Sequence, residues 1–113
     1  MLANDHLEKA KRLKETCAKL DPKTDWETIV ENAYGMAMHL IAYIAANKVK
    51  KHMDTHKGLI AFLNENKMPE ITALFRELDE MRTGRWYGGK TNGDSAKRAM
   101  EIVHELEKMA GVA

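Results

Sequence analysis

Between Ala33 and Ala46, 12 of 14 residues are apolar, a density that leaves a helix no face to give to water. Such a segment has to be surrounded by other elements. It is too short to cross a bilayer, which takes about 20 apolar residues, and Lys48, Lys50 and Lys51 follow it directly. The chain is therefore expected to build itself around one buried central helix. Only two prolines interrupt 113 residues, and elsewhere the apolar residues recur at three and four rather than at two. The pattern predicts an all-α fold, an antiparallel up-and-down bundle of four or five helices forming a single domain over residues 1–113.

The elements can be placed from caps and stripes. Asp5 with Glu8 three places on opens a first helix, whose stripe is Leu7, Ala10, Leu13, Cys17 and Leu20, and Asp21 and Pro22 stop it. Thr24 with Glu27 makes a second capping box, and the helix it opens runs through Trp26, Ile29, Val30, Ala33, Ala37, Leu40, Ile41 and Ile44 to near Lys51. Leu59, Ile60, Phe62 and Leu63 mark a short third helix that ends near Asn66. Pro69 suits the first turn of a fourth helix, with Ile71, Leu74, Phe75, Leu78 and Met81 on one face before Gly84 weakens it. Asp94 or Ser95 caps a last helix carrying Ala96, Ala99, Val103, Leu106 and Ala110, and Gly111 fits its C-terminal cap.

Lys plus Arg is 18 and Asp plus Glu is 17, a net charge of +1 that draws the whole molecule neither to nucleic acid nor to an anionic membrane. Any basic surface must be local. One cysteine, Cys17, excludes an internal disulfide and suits a reducing compartment. The polar N-terminus carries no signal-peptide pattern, so a cytoplasmic protein is expected, with no membrane partner.

Several motifs bear chemistry on paper. Gly84, Gly89, Lys90 and Thr91 spell the spacing of a phosphate-binding loop, but a helix rather than a strand precedes them, so the spelling is read as a coincidence in a flexible interhelical loop. His52 and His56 flank Asp54 without a third ligand in view, and the segment reads as a connection between helices rather than as a metal site. His39 lies inside the central helix, either as a hydrogen-bonded core histidine or as an acid or base lining a cleft. His6 and His104 read as helix-surface residues, and Cys17 as a core thiol.

Arg82, Arg85, Trp86 and Tyr87 put two guanidiniums and two aromatic rings at a helix end beside a glycine loop, a set able to grip phosphate and stack bases. From Arg82 through Arg98, five basic residues stand against one acidic, a local +4, and Lys48, Lys50, Lys51 and Lys57 against Asp54 give a local +3. The competing reading is a solvated helix end whose rings pack on the core or on a second subunit. Eight methionines supply pliable apolar surface for a core or a partner.

Asn32, Ala33, Tyr34, Gly35, Met36, Ala37, Met38 and His39, followed by Thr55, His56, Lys57 and Gly58, then Arg82 with Tyr87, and last Ala96 with Ala99, together resemble the minimal prokaryotic branch of the HEPN superfamily. That branch's second helix runs arginine, any residue, tyrosine, tyrosine, two small or apolar residues, phenylalanine, histidine. Asn32 and Gly35 depart from it. The resemblance implies a homodimer with a cleft near Arg82 and a working association with RNA, a nucleotide or a nucleotidyltransferase partner, as in the toxin half of a toxin-antitoxin pair. From the residues themselves, no cofactor and no metal are expected. Many members are metal-independent endoribonucleases in which an arginine is followed four to six residues later by a histidine. Here Tyr87 stands at that distance, and a phenol with a reference pKa near 10 shuttles protons poorly at neutral pH. The catalytic candidates are accordingly Arg82 with Tyr87, His39 or His56, and the ligand-binding candidates are Arg82, Arg85, Trp86 and Lys57. A third expectation is a structural dimeric module that takes no ligand.

Overall fold

The computed structural model describes residues 2–48, 56–84 and 92–113, with side chains in 2–47, 58–84 and 93–113. Five helices occupy these residues, with no strand among them: α1 (Ala3–Cys17), α2 (Trp26–Lys48), α3 (His56–Glu65), α4 (Pro69–Arg82) and α5 (Asn92–Ala110). The expected all-helical bundle is thus the fold. Among the described residues helix α2 touches each of the other four, and α1 packs its backbone against α2 while its Lys14 side chain reaches Glu107 of α5. That arrangement is what the apolar run demands: Val30, Ala33, Tyr34, Met36, Ala37, Leu40, Ile41, Ile44 and Ala45 are all buried. Among the described residues no helix is long and apolar enough to cross a membrane.

The helix starts differ from the cap residues expected. Helix α1 begins at Ala3 rather than after Asp5, because Leu2 takes an extended backbone and its carbonyl accepts from the amides of Asp5 and His6. Asp5 serves one turn in, where its Oδ2 accepts the Leu2 N–H at 3.2 Å. Helix α2 begins at Trp26, directly after Asp25, whose carbonyl accepts the Ile29 amide and whose carboxylate accepts the Asp21 amide. Thr24 therefore stays in the preceding turn. Helix α5 begins at Asn92, so Asp94 lies in its first turn, where a negative charge suits the helix dipole. The C-terminal signals hold as written: Gly111 has φ +77°, and the Val112 amide bonds back to the Glu107 carbonyl at 3.0 Å.

Gly35 has a packing reason. A Cβ built there would lie 3.3 Å from the Leu13 Cδ1 of α1, so the two helices approach closely at this point. We expect Gly35→Ala to be nearly neutral, because Leu13 shifts slightly while the helix gains about 1 kcal/mol of propensity. Gly35→Leu must push α1 away and should cost about 1–3 kcal/mol, read as a lower urea midpoint. Equal stability of the two variants would contradict the close crossing.

Candidate functional site

Helix α4 buries Ile71, Phe75, Leu78 and Met81. Arg82 lies four residues after Leu78 and seven after Phe75, so it continues the same face at the point where that face runs out of core. There the side chain lies over the ring of Tyr34, with Cζ 4.4 Å from the centroid. Tyr34 is buried and stacks on Phe75, the centroids 5.1 Å apart and the planes 24° apart. A core aromatic pair thus carries a guanidinium that remains 39% exposed.

Two carboxylates hold the fork in this position. Arg82 Nε is 3.3 Å from Glu31 Oε2, and Nη1 is 3.7 Å from Asp79 Oδ1. Both acids are largely exposed, so each pair contributes about 0–1 kcal/mol. The cation–π contact adds about 0.5–1 kcal/mol. Arg82 is positioned, but no single contact is strong enough to resist a better anion. It lines a cleft of about 290 Å³ together with Trp26, Val30, Glu31, Met81 and Gly84. Gly84 has φ +78°, a left-handed conformation that ends α4 abruptly below the cleft.

The other candidates separate from this point. His39 lies eight residues beyond Glu31, about 12 Å along α2, and about 140° around the axis from Tyr34. It faces α1, where its Nδ1 meets the Nδ1 of His6 at 2.9 Å. Within one chain His39 is therefore not brought to Arg82. His56 opens α3, but its side chain and that of Lys57 lie outside the described residues. So do Arg85, Trp86 and Tyr87, as well as His52, Asp54, Lys50, Lys51 and Lys90.

His6 is a correction. Expected on the surface, it is 5% exposed. It stands at i, with Ala10 at i+4 and Cys17 at i+11, the three buried residues of α1. Its polarity hid its place in the helical stripe. His104, by contrast, is exposed, with Nδ1 3.7 Å from Glu107 Oε1. Cys17 is buried as expected. Burial pushes its thiol up from the ordinary range, opposed by a hydrogen bond with Asn32, so it is a poor nucleophile.

The local positive charge is partly committed elsewhere. Arg98 donates from Nε to Glu77 Oε2 at 2.6 Å and from Nη2 to Glu77 Oε1 at 2.8 Å, a two-pronged tie between α5 and α4. The tie raises the Arg98 pKa further, through that hydrogen bond first. Lys97 is exposed on the neighbouring surface. Sequence reasoning missed Tyr34, Glu31 and Phe75 as parts of the Arg82 site, because a contact across 48 residues leaves no trace in local periodicity. No family model, curated protein or solved structure matches the chain.

Proposed function

We propose that this chain is a HEPN-type helical module that binds phosphate-bearing ligands, RNA foremost, with Arg82 as the anchor. The observation that carries the reading is the guanidinium seated 4.4 Å above Tyr34 at the lip of a cleft that Trp26 also lines. An arginine held over an aromatic ring has lost much of its rotamer freedom before the ligand arrives. A phosphate offers the fork two strong acceptors, and it displaces Glu31 and Asp79 from pairs that contribute little. Trp26 supplies an aromatic surface beside it for a base. The chain continues from Gly84 directly into Arg85, Trp86 and Tyr87, which keeps two more aromatic residues and one more cation tethered to the anchor. A homodimer and an associated nucleotidyltransferase belong to the same proposal, and sedimentation as a 12.8 kDa particle at micromolar concentration would remove the dimer from it.

The test is a titration of fluorescein-labelled oligouridylate in EDTA, followed by anisotropy and then by a gel. Saturable binding that weakens with salt, log K falling by about 0.7 per phosphate contact for each tenfold rise in salt, is expected. Intact RNA on the gel keeps the reading as a binding module. RNA cut by the wild type but not by Arg82→Ala adds metal-independent endoribonuclease activity to it. No saturable binding at low salt ends it.

A further inference from the structure

Among the described residues the backbones of α1 and α5 do not meet, although both pack on α2 and Lys14 reaches Glu107 across the gap at 3.0 Å. The gap is a cleft of about 680 Å³, more than twice the 290 Å³ of the Arg82 cleft, and the two share no lining residue. Cys17, Pro22, Ile29, Ala96 and Met100 give it apolar walls. Ile29 and Ala96 are 3% and 2% exposed, yet both stand apart from the continuous core. They floor the cleft instead. A concave site of this size, mostly apolar with a few polar groups at its edge, has the character of a small-molecule site.

The charges at the edge decide which molecule fits. Lys14 is tied to Glu107 and Arg98 to Glu77, while Glu105 is held by Lys108 at 3.0 Å and His104 stands 3.7 Å from Glu107. Lys97 and Glu101 are left without an ion pair among the described residues. Along α5 the lining runs from Ala96 to Glu105, about 14 Å. Lys97 stands at the open end of that run, and the tie of Lys14 to Glu107 closes the other. Glu101 lies one turn further in, where its charge acts on Arg98.

We infer that this cleft takes a free medium-chain carboxylic acid, its acyl chain on Cys17, Ile29, Ala96 and Met100 and its carboxylate at Lys97. The chain displaces water from the apolar walls, and the carboxylate supplies the counter-charge that Lys97 lacks. A cationic amphiphile fits worse. Its head would either meet Lys97 or seek Glu101 halfway along the cleft, which lifts the chain off the floor.

Titration of the full chain, methyl-labelled at isoleucine and methionine, with decanoate below its micelle concentration tests this by nuclear magnetic resonance. The Ile29 and Met100 methyl signals should move and saturate, whereas those of Ile44 and Met109, which line a separate cleft beside Pro69, should stay fixed. Each added methylene from octanoate to dodecanoate should tighten binding by up to about fourfold. Decanol should bind roughly two- to fivefold more weakly than decanoate, since Lys97 is exposed and an exposed ion pair contributes little, and Lys97→Met should remove that difference. Ala18→Trp lays an indole over the cleft from an exposed position and should abolish the shifts while leaving the helix content unchanged. Absence of saturation, parallel movement of Ile44 and Met109, or equal affinity for decanol would overturn the inference. So would shifts that appear on raising the protein concentration alone, which give the cleft to a second copy, or with phosphatidylglycerol vesicles but not with free acid, which give it to a membrane surface.

Discussion

Phe75→Ala is expected to destabilise the protein by about 3–5 kcal/mol, a large share of the roughly 5–15 kcal/mol that holds a domain of this size folded. Phe75 is 1% exposed and stacks on Tyr34. Its removal takes away the transfer free energy of a whole ring and leaves a cavity between α2 and α4 that neighbouring side chains fill only in part. The change should lower the urea midpoint while leaving the denaturant slope unaltered. It should also loosen the Arg82 site, because Tyr34 loses the surface that fixes its ring. A loss below about 1 kcal/mol would mean that the pair of aromatics is not part of a close-packed core.

Arg82→Ala is expected to do the reverse: weaken binding strongly and leave the fold nearly alone. Hydrogen bonds from a charged donor contribute about 1.5–3 kcal/mol, so affinity for a phosphate-bearing oligonucleotide should fall roughly ten- to hundredfold. The fold loses only two exposed ion pairs and one cation–π contact, which together leave stability within about 1–2 kcal/mol of the wild type. Arg82→Lys keeps the charge but not the planar fork, and should fall between the two. Glu31→Gln carries the opposite sign. It removes the carboxylate 3.3 Å from Arg82 Nε, so the same ligand should bind more tightly. Calorimetric and anisotropy titrations of the three variants at one salt concentration check these orders. Binding by Arg82→Ala equal to that of the wild type would exclude the anchor role.

What the chain discloses before folding depends on how local the cause is. The burial of α2 on all sides is written in its own residues, from Ala33 to Ala46, and Pro69 and Gly111 mark helix ends through backbone properties they carry everywhere. Cap identities were less legible. Asp5, Thr24 and Asp94 are all good cap residues, yet α1, α2 and α5 start at Ala3, Trp26 and Asn92; for α1 and α2 the backbone that precedes the helix decides which residue stands at its end. The site was legible only in part. Arg82 announced itself by its neighbours in sequence, whereas Tyr34, Phe75 and Glu31 join it through a tertiary crossing of α2 and α4. His6 was hidden for a different reason: a polar side chain on the buried face breaks the apolar stripe that a reader follows.

The most direct measurement is the nitrogen–proton resonance of Arg82 Nε during titration with oligouridylate, in the unmodified protein. The donor now faces Glu31 at 3.3 Å, so exchanging that carboxylate for a phosphate must change its chemical shift. The account predicts that the signal moves and saturates with the same midpoint as the anisotropy curve. A signal that stays fixed while the oligonucleotide binds would place the ligand elsewhere on the bundle and contradict the account.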